Sequence, residues 1–263
     1  MNLFSRLPLW LAGLFLTVFS VHSAEDKKTE PQPFVVGTAS GYAPYVSLNS
    51  KGEYEGFDID LAERLAQRLG KKLVIQDLGS MPSLLVALQK KKIDAIIWGM
   101  SITQSRLKEM EMIYYQGDVS TTLPFLFWKE VPAEVKRIED LATLKKGAVC
   151  VESGSSQDEV LRKYPAIPVK YLDKIADALL ELKYGKAAAT TVDLSLLNRV
   201  QAQYPEIRVV HLPLPEDLHT LGNGICIHKD NQESAAQVRR IIQELMNEGV
   251  IAELEKKWGL YQF

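Results

Sequence analysis

Two helix starts and one strand end in this chain put polar and ionic side chains where they can meet a small charged ligand. The first is the run Gly99-Met100-Ser101-Ile102-Thr103-Gln104-Ser105-Arg106, which ends a strand and opens a helix. Free backbone N–H groups and the Ser101 hydroxyl gather at such a point. Arg106 falls in the first helical turn, where a cation opposes the positive end of the helix dipole unless an anion offsets it. A bound carboxylate would do so through a bidentate fork. The alternative is an exposed Arg106 paired with Glu109 or Glu111.

The second piece is Ser153-Gly154-Ser155-Ser156-Gln157-Asp158-Glu159, where Gly154 lets the backbone approach closely and Ser156 stands at capping-box spacing from Glu159. Such a turn is either a good N-cap or a second carboxylate site. The third is Asp193, directly after the apolar run 187–192. A carboxylate at a strand end suits an ammonium group by charge-assisted hydrogen bonding; it equally suits the N-cap of a helix over 194–203. Together the three pieces point to one small zwitterion.

Strands and helices must alternate to position them. The apolar runs 34–38 (FVVGT), 72–77 and 93–98 (IDAIIW) read as strands. Leu61, Leu65 and Leu69, spaced by four and closed by Gly70, mark a helix, as do Leu84, Leu85 and Leu88 within 83–91. The run 124–128 (PFLFW) reads as a crossing strand, because the same syntax restarts after it: strands at 148–151, 168–171, 187–192 and 208–212, with helices between. Another apolar strand, 222–228, precedes two closing helices over 234–258. This predicts an α/β, two-lobed fold: lobe 1 from 34–127 plus 224–263, lobe 2 from 128–223, and two hinge crossings near Phe127 and Gly224 with the ligand in the cleft between lobes.

The ends of the chain and its composition narrow the function. Residues 1–23 predict a signal peptide: Arg6, an apolar run over 7–21 too short for a membrane span, then a cleavage-like Val21-His22-Ser23. Residues 24–33 read as a disordered leader, and no Cys follows the apolar run to carry a lipid. The mature chain is therefore expected outside the cytoplasmic membrane. The 263 residues are 46% hydrophobic and 24% charged, an ordinary globular composition. With 31 basic against 33 acidic side chains there is no net positive field for nucleic acid. The two cysteines, Cys150 and Cys226, sit in apolar strands without His or Cys at metal spacing, so neither a metal nor a cofactor is expected.

From Phe34 to Phe263 the sequence resembles the periplasmic amino-acid-binding proteins of ABC importers, the group that includes histidine, lysine/arginine/ornithine and glutamine binders. The stretches that carry the resemblance are VGTASGYAPY (36–45), GEYEGFDIDLAERLAQRLG (52–70), LVALQKKKIDAI (85–96), GMSITQSRLKE (99–109), ESGSSQDEVL (152–161) and EGVIAELEKKWG (248–259). The resemblance implies a periplasmic, monomeric Venus-flytrap that closes on a free amino acid and delivers it to a membrane permease. It implies that Tyr42 walls the ligand, that Ser101 and Arg106 take the α-carboxylate with Ser155 and Ser156 opposite, and that Asp193 takes the α-amino group. Gly99 lies on the same segment and joins the candidate set.

The departures from the pattern bear on specificity. Ala39 and Ser40 stand where binders of cationic amino acids can carry an Asp; Met81-Pro82-Ser83 replaces an aromatic-Asp-Gly, and Trp98 replaces a small polar residue. Met81 and Trp98 are therefore expected to reshape the side-chain pocket. Trp98 is either core or a second wall that, stacked with Tyr42, would suit a guanidinium or a flat apolar group. Arginine or another polar amino acid is the first candidate. Two rival readings use the same fold: an exported enzyme resembling cyclohexadienyl dehydratase, which needs an acid or base in the cleft, and a sensor serving a membrane partner. His211, His219 and His228, the histidines after residue 23, lie outside the motif loops.

Overall fold

The computed structural model describes residues 30–145 and 147–260. The expected signal peptide lies outside the described residues, as does most of the expected leader. The chain opens with β1 (Pro33–Thr38), a short hairpin of β2 (Ser47–Leu48) and β3 (Tyr54–Glu55), and α1 (Phe57–Arg68). Then come β4 (Lys72–Asp77), α2 (Met81–Gln89), β5 (Ala95–Ile96), α3 (Gln104–Glu109) and β6 (Met110–Ser120). Burying Leu61, Ala62, Leu65 and Ala66 on one face seats α1 on the sheet; each fully buried Leu contributes about 1.5–3 kcal/mol.

The second half repeats the syntax. It runs β7 (Thr122–Trp128), β8 (Ala148–Glu152), α4 (Ser156–Leu161), β9 (Val169–Leu172), α5 (Ile175–Lys183) and β10 (Ala187–Thr191), then α6 (Leu197–Gln203) and β11 (Ile207–Pro213). The chain then returns through β12 (Thr220–His228) to α7 (Gln232–Asn247) and α8 (Val250–Trp258). Two five-stranded sheets result, ordered β4-β1-β5-β12-β6 and β11-β7-β10-β8-β9. Helix-linked strands pair in parallel, β1 with β4 and β5 in one sheet and β8 with β9 and β10 in the other. In each lobe the strands that lead to and from the crossings pair antiparallel.

The crossings fall elsewhere than expected. Phe127 lies inside β7, paired with Arg208, and Gly224 lies inside β12, paired with Tyr114. The chain passes between sheets at Thr121 and returns over 214–219. The two crossings are tied together: Leu214 N donates to Thr121 O at 2.9 Å, between the pairs Ser120–Thr220 and Thr122–Pro213. Four of the five PFLFW residues, Pro124 to Phe127, are buried, because β7 is an interior strand of the second sheet, between β11 and β10. The sheets therefore take residues 33–120 with 220–228, and residues 122–213. Strand β6 is unmarked in the sequence pattern, since Gln116-Gly117-Asp118 reads as a turn; register shifts against β12 at Leu221–Gly224 accommodate it.

The GFDIDL motif works as a clamp. Gly56 has φ +138°, and a Cβ there would sit 2.0 Å from the Tyr45 carbonyl oxygen, so only glycine brings this turn against the Tyr42–Tyr45 loop. Asp58, fully buried, accepts from Gly99 N at 2.6 Å and from Tyr115 Oη at 2.9 Å. Asp60 accepts from Lys257 Nζ at 2.7 Å and Trp258 Nε1 at 2.6 Å, fastening α8. The motif thus holds the start of the GMSIT segment and the end of the chain to one helix.

Burial pushes the Asp58 carboxyl up to about 7, its two hydrogen bonds pulling part of the way back. The folded chain then binds a proton that the unfolded chain has released. The stability this provides is greatest below the ordinary carboxylate range and is lost as pH climbs through about 7. Asp58→Asn should flatten that slope, while turning an NH2 toward one of the two donors and costing about 1–3 kcal/mol at acidic pH. Urea unfolding between pH 4 and 8 measures both; a variant with the wild-type slope would remove Asp58 as the cause.

Candidate functional site

The first lobe supplies one aromatic and one ionic wall. Tyr42 stacks on Tyr45, with ring centroids 5.4 Å apart and planes 18° apart. It leans on Trp98 at 5.2 Å and 48°. Trp98 is anchored by its Nε1, which donates to Ala39 O at 2.8 Å. Trp98 is buried and, tilted against Tyr42, forms one corner with it. Gly99, at φ +51°, makes that contact possible, since a Cβ there would lie 2.8 Å from Tyr42 Cε1. Burial, with the nearby Asp193 carboxylate, holds the Tyr42 hydroxyl well above its ordinary pKa.

The GMSIT segment is stitched onto β12: Ile102 N donates to Gly222 O and Gly224 N to Met100 O, both at 2.8 Å. Thr103 caps α3 as its sequence suggests, its hydroxyl accepting from Arg106 N at 3.3 Å. The Arg106 side chain is 5% exposed. Nη1 donates to Ser101 O at 2.7 Å, Nη2 donates to Gly154 O of the other lobe at 2.8 Å, and Nε lies 3.3 Å from Glu159. Its partner is neither Glu109 nor Glu111. A guanidinium has five N–H donors; after these contacts one N–H on each terminal nitrogen has no partner among the described residues and is left to donate to an anion such as a carboxylate.

The second lobe differs from expectation by one residue. The N-cap of α4 is Ser155, not Ser156: Ser155 Oγ accepts from Asp158 N at 3.1 Å and Asp158 accepts from Gly154 N at 2.9 Å. The reciprocal cap therefore uses Asp158, which also pairs with Arg162 at 2.7 Å. Glu159 is released to face the first lobe, where it accepts from Ser105 Oγ at 2.6 Å and Thr103 Oγ1 at 3.4 Å. Ser156 Oγ lies 3.5 Å from Ser101 Oγ across the gap. Asp193 divides its carboxylate: Oδ1 accepts from Ser195 N at 2.9 Å and Ser195 Oγ at 2.6 Å, while Oδ2 accepts no bond among the described residues.

All nine residues singled out in the sequence line one small cavity between the lobes. Tyr42, Met81, Trp98, Gly99, Ser101 and Arg106 come from one side, and Ser155, Ser156 and Asp193 from the other. Its volume is about 20 Å³, room for about one water. The lobes are drawn together. A larger cavity of about 300 Å³ adjoins it toward the crossings, sharing Ser101, Ser156, Gln157 and Asp193. Sequence reasoning missed three residues here: Glu152 and Gln157 on the small cavity, and Glu159 across the gap. Glu152 was findable, being a carboxylate at the end of an apolar strand, as Asp193 is. Burial pushes its carboxyl up to about 8, with Arg106 pulling down and Asp173 adding to the rise.

Other reactive groups lie apart. His211 is exposed on β11, His219 contacts Leu214 O at 3.1 Å in the returning crossing, and His228 lies 3.7 Å from Asp230. Cys150 and Cys226 are buried free thiols on different sheets. Among the described residues no group of three or more His, Cys, Asp or Glu could hold a metal ion, and no helix is long and apolar enough to cross a membrane.

Comparison with known proteins agrees with this architecture. Residues 34–261 match the model of the bacterial extracellular solute-binding proteins, family 3. A probable ABC transporter arginine-binding protein, ArtJ, of Chlamydia trachomatis is 34% identical over 236 residues, covering 90% of this chain and 89% of that protein. A mutant of the arginine-binding protein from T. maritima superposes with a TM-score of 0.76 at 30% identity, covering 87% of this chain and 96% of its own. An ancestral arginine-binding protein bound to arginine gives 0.75 at 26% identity, covering 88% and 99%. The matched family spans nearly all of the described chain, both lobes and the cavity between them: this protein belongs to the bacterial extracellular solute-binding proteins, family 3.

Proposed function

We propose that this chain captures a free amino acid between its lobes, as a periplasmic monomer, and presents it to the membrane permease of an ABC importer. One observation carries the reading. A buried guanidinium with free N–H groups stands on one lobe and a carboxylate with a free oxygen stands on the other, both on the same cavity. Those are the complements of an α-carboxylate and an α-ammonium group. Ser101, Ser155 and Ser156 add hydroxyls beside the carboxylate position, and Tyr42 with Trp98 supplies the apolar wall. Arginine is the first candidate ligand, from the names of the relatives.

Binding requires the lobes to part and close again. Several contacts that close them now are polar, Arg106 to Gly154 and Glu159 and Ser105 to Glu159, and such bonds can be exchanged for bonds to water when a hinged pair of lobes opens. A dehydratase acting on a dicarboxylate fits less well. Glu152 could serve as its acid, but two substrate carboxylates would meet one guanidinium beside Glu152, Asp193 and Glu159.

A thermal-shift screen of the twenty amino acids tests the reading, because a ligand at 100 times its Kd adds about 2.7 kcal/mol of stability. At least one should raise Tm; a flat screen, or turnover of prephenate or arogenate, would overturn the assignment. Arg106→Ala and Asp193→Ala should each weaken binding of the responding amino acid by roughly 2–5 kcal/mol, since each leaves a buried ligand charge unpaired. Calorimetric titration reads this directly, and wild-type affinity in either variant would misplace the site. Ser105→Ala should cost about 1 kcal/mol of affinity, because Ser105 lies off the cavity and bonds Glu159 across the gap, besides touching the Thr103 hydroxyl at 2.9 Å. An unchanged Kd would mean that this bond takes no part in closure.

A further inference from the structure

The poles of a zwitterion account for Arg106 and Asp193 and leave one ionisable group on the cavity without a task. Glu152 ends β8, is 9% exposed, and lines the same cavity as Tyr42, Trp98 and Arg106. Its carboxylate accepts no hydrogen bond from any described residue, and none of the described Lys, Arg or His side chains reaches it at ion-pair distance. Arg106 is engaged elsewhere, by Glu159, Ser101 O and Gly154 O. Leaving a carboxylate buried without a partner is costly. Burial pushes the Glu152 carboxyl up to about 8, the Arg106 charge pulling part of the way back and Asp173 adding to the rise.

Resting on the amino-acid reading above, we infer that Glu152 is the specificity residue of the side-chain subsite and selects an amino acid whose side chain carries a positive charge. A guanidinium or ammonium group would supply the missing counter-ion. The aromatic corner of Tyr42 and Trp98 borders the same space, and an aromatic face beside a cation adds attraction. The loop before Tyr42 offers no competing charge, its residues being Ala39, Ser40 and Gly41. The second lobe thus carries both carboxylates for the ligand, Asp193 for its α-amino group and Glu152 for its side chain, and the first lobe carries the guanidinium.

The test compares pairs of similar shape and different charge: L-arginine against L-citrulline, and L-lysine and L-ornithine against L-glutamine. Each is titrated calorimetrically into the wild type and Glu152→Gln. The wild type should bind at least one cationic member a hundredfold or more tighter than its neutral counterpart. Glu152→Gln should reduce that ratio at least tenfold, and Glu152→Asp should keep its direction. Equal or tighter binding of the neutral members by the wild type would overturn the role of Glu152 while leaving the amino-acid reading intact. So would a ratio that survives in Glu152→Gln. If the wild type binds none of the twenty amino acids, the amino-acid reading itself falls and the inference with it.

Discussion

Burying a guanidinium costs several kcal/mol unless its charge and its N–H groups are met. Arg106 is buried, yet its own lobe offers it one carbonyl, that of Ser101. The rest of its compensation, the Gly154 carbonyl and the Glu159 carboxylate, comes from the other lobe. Apposition of the lobes and burial of Arg106 are therefore one event. Under the proposed function, an anion entering the gap would compete for the same cation, coupling occupancy of the cavity to the apposition of the lobes.

Each lobe holds its share of the site by bonds made far from the cavity. In the first, the Asp58 bond to Gly99 N and the stitching of Met100 and Ile102 to β12 fix where Ser101 and Arg106 begin. In the second, the Ser155–Asp158 cap sets the first turn of α4 and thereby aims Glu159 across the gap. Asp193 shows the same economy: it lines the cavity, with one oxygen spent on its own turn and the other accepting no bond among the described residues. The polar groups of the site are thus preorganised by local backbone chemistry, and the opening between them is set by two short crossings bonded at Thr121 and Leu214.

The sequence made much of this legible, for physical reasons. Interior parallel strands appear as apolar runs, so 34–38 nearly matches β1 and 187–192 nearly matches β10. Helix starts carry cap residues with fixed spacing, so Thr103 and the turn at Ser155 could be read, and the nine candidate residues converge on one cavity. What failed were features decided by pairing. Strand β6 carries a Gln-Gly-Asp break that only its bulged partner β12 explains. The crossings are short polar steps, whereas the apolar signal marks the strands on either side of them. The cap shifted by one residue because Asp158 and Glu159 have the same charge, and only the fold decides which turns inward. Glu152 carried the same signal as Asp193, a carboxylate closing an apolar strand, and only the fold shows that both strand ends meet one cavity.

The central claim is that opposed charges on the two lobes bind the two poles of one amino acid. A crystal structure of the protein grown with the amino acid that most raises its Tm tests this most directly. The expected result is the α-carboxylate held by the free N–H groups of Arg106 and the α-ammonium on Oδ2 of Asp193, in a cavity widened between the lobes. A ligand bound outside the gap, or inside it with its carboxylate away from Arg106, would contradict the claim.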